Sequence, residues 1–183
     1  SCVLDIFKKN IRPVQVVDIT NPTMQAIMGN YFIGQTEEIA MQGSDNAWAA
    51  LTNPKNSGVN LFFDIFTISN FSGQSFNAEI WFNPKLPGRG MPATAVTPSN
   101  LTITPPPKPK ATIMYRGQVP GTPTGGVNAF IRIVPPNSTL ISDSSKGGII
   151  LGPGDSFAIF LKSPGEQKIP ARVVFSWWEE TTV

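Results

Sequence analysis

The stretch GVNLFFDIFTISNFSGQSFNAEIWF, residues 58–82, decides how the rest of the chain is read. Its first half is dense in β-branched and aromatic residues, with Val59, Leu61, Phe63 and Ile65 at one parity and Phe62, Phe66 and Ile68 at the other. Apolar side chains at both parities describe a central strand covered on both faces. Asn70-Phe71-Ser72-Gly73 then supplies turn chemistry. Beyond it the pattern alternates strictly, Phe76, Ala78, Ile80 and Phe82 on one face and Ser75, Asn77, Glu79 and Trp81 on the other. A two-sided strand hairpinned to a one-sided one is what the middle of a two-layer antiparallel sandwich requires.

Composition agrees with an all-β chain. Among 183 residues there are 16 Gly and 18 Pro but only 14% charged residues, so turns are many and helices few. The length suffices for one domain with a sizeable core and no disulfide or metal staples. The net charge of +2 is spread thinly, with basic pairs only at Lys8-Lys9 and at Lys108 and Lys110. Neither nucleic acid nor an anionic membrane is therefore an expected partner, and no run approaches the roughly 18 apolar residues of a membrane helix. The N-terminus lacks the order of a signal peptide, and Ser1 is a residue from which an initiator Met is normally trimmed, so the chain is expected to start at its natural end.

Working outward, Ser1–Lys9 (SCVLDIFKK) is an apolar strand-like run set off by Lys8-Lys9-Asn10 and Pro13. It reads either as a first strand of the sheet or as an arm, residues 1–12, that adds to a neighbour's exposed edge through Cys2, Val3, Leu4, Ile6 and Phe7. Residues 13–183 then form one sandwich domain. Val14–Ile19 is a second expected strand, and Thr20-Asn21-Pro22 followed by Met24, Ile27 and Met28 is the one helix candidate. Tyr31–Met41 is a strand pair or an extended segment, and Gly43–Ser57 is a loop carrying Trp48. Leu101–Ile103 is a short strand within a Pro-punctuated crossover that includes Pro105-Pro106-Pro107-Lys108-Pro109. Strands follow at Ala111–Tyr115, Gly126–Ile133, Leu140-Ile141, Ile149–Leu151, Phe157–Leu161 and Ala171–Trp178. This spacing of about nine or ten short strands fits a β-sandwich, and a jelly roll is its best topology.

The chemistry is bounded by what is missing. The chain has no His and one Cys, which removes Ser-His-Asp triads, Cys-His pairs, facial triads and the common zinc sites. No cofactor is expected. The one catalytic option is a glycosidase-like pair, Asp64 and Glu79, placed on the two arms of the hairpin. Glu37-Glu38 and Glu179-Glu180 read as solvated charges, since neighbours on a strand point to opposite faces. Asp143 and Asp155 are too sparse for a calcium loop, and Gly152-Pro153-Gly154-Asp155 is a turn rather than a phosphate cradle. Trp48, Trp81 and Trp178 are the candidate stacking surfaces for a carbohydrate, although a Trp is more often packed onto its own domain.

At Asn56–Phe63, Ile68-Ser69-Asn70-Phe71-Ser72, Gly121–Phe130, Ile133–Leu140 and Phe175–Glu180 the chain resembles a family of uncharacterised single-domain proteins from spore-forming Firmicutes. In general design, a small jelly roll preceded by a Cys-bearing segment, it is similar to the subunits of endospore appendage fibres. That resemblance implies assembly by edge-strand addition through an N-terminal connector, at an extracellular or spore surface, with the protein itself as partner. Those subunits carry several Cys where this sequence has Cys2 alone. The leading expectation is a non-enzymatic filament subunit. A carbohydrate-binding module and a viral jelly-roll coat or fibre protein are the alternatives.

Overall fold

A computed structural model describes residues 16–183, and the arm residues Cys2, Val3, Leu4, Ile6 and Phe7 lie outside the described residues. Thirteen strands and one short helix follow in chain order among the described residues. They are α1 (Asn21–Ile27), β1 (Tyr31–Gln35), β2 (Ile39–Met41), β3 (Asn46–Thr52), β4 (Val59–Asn70), β5 (Phe76–Phe82), β6 (Met91–Pro92) and β7 (Ala95–Pro98). Then come β8 (Thr112–Val119), β9 (Val127–Val134), β10 (Ser138–Ile141), β11 (Ile149–Leu151), β12 (Ser156–Lys162) and β13 (Ile169–Thr181).

Two antiparallel sheets face each other. Sheet one runs β10-β4-β13-β1-β7, with β11 also on β4 and β2 also on β13; sheet two runs β6-β8-β3-β12-β5-β9. Early strands pair with late ones in a nested series: β1 with β13, β3 with β12, β4 with β10 and β11, and β5 with β9. The pairs are joined through β13–β4 and β12–β5. Four nested antiparallel pairs wrapped into two sheets make a jelly roll. The segment between β5 and β9 adds β6 and β8 to one side of sheet two and β7 to the same side of sheet one.

The core lies between the inner faces. Phe63 stacks on Phe157 at 4.6 Å, and Phe82 and Phe175 meet Phe157 edge-on; each such burial contributes roughly 1.5–3 kcal/mol. A second apolar cluster, Trp48, Ala50, Val119, Ala158 and Phe160, occupies the outer face of sheet two under Leu86 and Met114.

Several expectations are corrected. Val59–Ile68 and Phe76–Phe82 do not form a hairpin: β4 is in sheet one and β5 in sheet two. Their apolar parities face each other across the core, and the turn between them changes layers. Asn70 fixes that corner, accepting from the Ser72 N–H and donating to the Gln74 and Pro135 carbonyls. The double parity of β4 is one inner face re-phased by a bulge. Phe63 pairs with Trp177 and Ile65 with Ser176, which leaves Asp64 as the extra residue.

Residues 43–57 are not a loop, because β3 is a strand of sheet two. Ala47, Ala49 and Leu51 face the core while Trp48 and Ala50 face the covered outer side, so no alternation shows. Val16–Ile19 makes no strand, and Leu101–Ile103 lies in a turn held by the Asn100 side chain, which accepts from the Thr102 N–H. The helix forms where expected, but Gln25 is its buried residue and Met24, Ile27 and Met28 are exposed.

Candidate functional site

The four sheet edges are built differently. β6 has two residues and ends in Pro92, β7 has four and ends in Pro98, and the β10–β11 edge is two short pieces interrupted by residues 142–148. These are the devices that blunt an edge against unwanted pairing. β9 has none of them: it runs eight residues without Pro, and among the described residues only β5 pairs with it. Its inner parity carries Phe130, Arg132 and Val134, opposite Ile80, Ala78 and Phe76 of β5. Its outer parity carries Ile131 and Ile133, which are 53% and 67% exposed. A bulge at Ala129 separates this regular half from Val127 and Asn128.

Between β9 and β10–β11 the sandwich is open to the core. A slot of about 190 Å³ is lined by the inner-face residues Phe63, Phe66, Phe130, Leu140 and Ile149, with the exposed Arg132 and Asp143 also on its wall. That is below the roughly 300 Å³ at which small-molecule pockets begin, so it suits inserted side chains better than a free ligand. Arg132 stacks over Phe130 at 4.4 Å and donates to the Ile131 carbonyl.

Polar groups hold both banks of the slot. On one side Asn70 donates to Pro135 and Asn137 N–H donates to Ser72, fixing the β9–β10 turn. On the other, residues 142–148 are stitched to the β4 bulge. Ser145 N–H donates to the Asp64 carbonyl at 2.8 Å, Ser142 Oγ accepts from Phe66 N–H, and the Ser145 hydroxyl donates to the Phe63 carbonyl. The Asp64 carboxylate accepts from Tyr31 Oη at 2.7 Å and from the Ser144 hydroxyl. Burial, reinforced by Asp64 and partly offset by Ser176, pushes the Tyr31 hydroxyl up to about 12.

The carboxylate pair is not brought together. Asp64 sits in the bulge of sheet one, whereas Glu79 is on sheet two, where it accepts from the Trp81 indole at 2.9 Å. Asp155 caps its own turn through Gly152 N–H, and among the described residues no group of three or more His, Cys, Asp or Glu is placed to hold a metal. No helix among them is long and apolar enough to cross a membrane.

The three tryptophans have different fates. Trp178 is buried on the outer face of sheet one, stacked on Phe62 at 5.4 Å with Tyr31 beside it, and Gly147 packs against its ring so closely that a Cβ there would lie 2.5 Å away. Trp48 is buried under residues 86–90 and donates to the Pro87 carbonyl. Neither offers a stacking face, because each is already covered by its own domain. Trp81 alone keeps part of its ring at the surface, on the outer face of sheet two.

Sequence reasoning located β9 as a strand but not as the open edge. Phe130–Ile133 is apolar at both parities around a lone Arg, which describes the two faces of the strand and not which of its backbone sides lacks a neighbour. Glu179 was also misread as solvated. It is buried and accepts from the Lys110 and Ala111 N–H groups at 2.9 Å and from the Trp177 indole.

The profile of a family of unknown function, DUF6143, matches residues 3–183. The chain belongs to that family. The matched region begins at Val3, so the leading segment is part of the DUF6143 unit together with the sandwich. No curated protein and no solved structure matches this DUF6143 chain.

Proposed function

We propose that this DUF6143 chain is a non-enzymatic structural subunit that assembles with copies of itself into a filament, the leading arm of one copy adding a strand to the β9 edge of the next. The observation that carries the reading is the contrast among edges: three are short or interrupted, while β9 is long, Pro-free and apolar on its exposed parity above a slot into the core. An arm that leaves one subunit and fills a different surface on another is a heterologous contact, and such contacts propagate as an open filament wherever the rotation between copies does not close a ring. The Pro- and Gly-rich, charge-poor composition and the resemblance to endospore appendage subunits favour an extracellular or spore-surface setting, with surface components as further partners. The carbohydrate-binding reading is supported less, because Trp48 and Trp178 are buried.

Negative-stain microscopy and sedimentation of the full chain test this, alongside a variant lacking Ser1–Lys9. The full chain is expected to form filaments, and the truncated one to remain a folded monomer with an unchanged circular dichroism spectrum. A full chain that stays monodisperse at high concentration, or a truncated chain that still polymerises, would overturn it.

A further inference from the structure

We infer that the arm seats in one register: Val3–Phe7 of a second copy lies antiparallel on Phe130–Val134, with Asp5 directly opposite Arg132. The inference rests on the strand-addition reading above and adds to it the residues that decide fit.

The five residues beyond the bulge, Phe130–Val134, are the regular part of the free edge, and five is an ordinary strand length. Every pairing in the sandwich is antiparallel, so an added strand continues the pattern by running antiparallel to β9. In an antiparallel pair, residues directly opposite share a face. Setting Asp5 opposite Arg132 then fixes the other four: Val3 meets Val134, Leu4 meets Ile133, Ile6 meets Ile131 and Phe7 meets Phe130. Each apolar arm residue faces an apolar residue, and the single acid faces the single base. A slip by one residue turns all five to the wrong face and sets Asp5 against an isoleucine.

The inner parity, Val3, Asp5 and Phe7, would face the slot, where Phe130, Leu140 and Ile149 are only partly buried and where, among the described residues, the Arg132 guanidinium contacts Phe130 and the Ile131 carbonyl. The outer parity, Leu4 and Ile6, covers Ile131 and Ile133, the two exposed isoleucines of the edge. A second copy is the assigned occupant, in keeping with the point from which the described chain sets out. Val16 and Val17 are 84% and 67% exposed and lead into α1. That helix packs on β1 and β13 of sheet one, whereas β9 is the outermost strand of sheet two.

Two measurements on the full chain test the register. Asp5→Arg and Arg132→Asp are each expected to raise the critical concentration for assembly by about tenfold or more, and the double variant to restore it to near the parent value. In a Cys2→Ser background, Ile6→Cys with Ile131→Cys is expected to give a disulfide-linked ladder on a non-reducing gel, while Ile6→Cys with Ile133→Cys, a diagonal pair, gives little. A disulfide confined to single chains would overturn the second-copy occupant. If truncation of the arm abolishes assembly but the charge swap fails to rescue and the diagonal pair cross-links equally well, the register is wrong while strand addition stands. Assembly by the truncated chain would sink both.

Discussion

At the end of β13 two adjacent acids are each held by the indole two residues before them, Trp177 donating to Glu179 on one face and Trp178 to Glu180 on the other. The arrangement follows from strand geometry, since residues two apart share a face. Glu179 matters most, because its carboxylate also collects the Lys110 and Ala111 N–H groups and so pins the end of the Pro-rich segment to the entry of β8. Glu179→Ala leaves three donors without an acceptor and should cost about 3 kcal/mol or more in urea denaturation; Glu179→Gln, which keeps one carbonyl oxygen, should cost less. Tyr31 offers a second residue-level test. An unfolded phenol loses its proton near pH 10, whereas the folded one holds it to about 12. Above pH 10 the unfolded state therefore binds fewer protons, and stability falls as pH rises through that window. Thermal melts between pH 9 and 12 should show a steeper loss for the parent than for Tyr31→Phe, and parallel profiles would contradict the assignment. Asp64, read from sequence as a possible catalytic acid, has a structural place here as the bulge residue tied to Tyr31 and Ser144.

The elements were legible where burial is one-sided or the apolar run is dense, as in β4, β5, β9, β12 and β13. They were illegible where a strand is covered by something other than the opposite sheet. β3 reads NAWAALT, with small residues on one face and Trp48 on the other, and only the roof formed by residues 86–90 explains why both are buried. β6 and β7 are too short to carry a period and exist because β8 and β1 had free edges to pair with. The open edge could not be read at all, since a sequence displays a strand's apolar content and not which of its sides lacks a neighbour. That edge gives the element-level prediction. Ile131→Lys with Ile133→Lys places charge on an exposed parity, so the fold should lose no more than about 0.5 kcal/mol per site, while self-association measured by sedimentation should disappear. Persistent assembly of this variant would remove β9 from the interface.

At the scale of the molecule, the two-layer sandwich followed from strand count and spacing, but the strand order did not. The turn at residues 70–75 looks like a hairpin turn locally, and only long-range pairing sends its two strands to different sheets. The same limit applies to the proposed site, whose two banks come from β9 and from the loop after β10 and meet only because each sheet has an edge there. Under the proposed strand addition, donor and acceptor are different surfaces of each subunit, so a filament built that way would have two unlike ends.

The last strand lies at the middle of sheet one, between β1 and β4. While the chain is being made, residues 31–35 and 59–70 leave the ribosome long before residues 169–181 can come between them. Throughout that interval both flanks of the future centre are bare. Sheet one therefore cannot close until Ile169–Thr181 arrives, and products ending short of Ile169 should be more sensitive to proteolysis than the full chain.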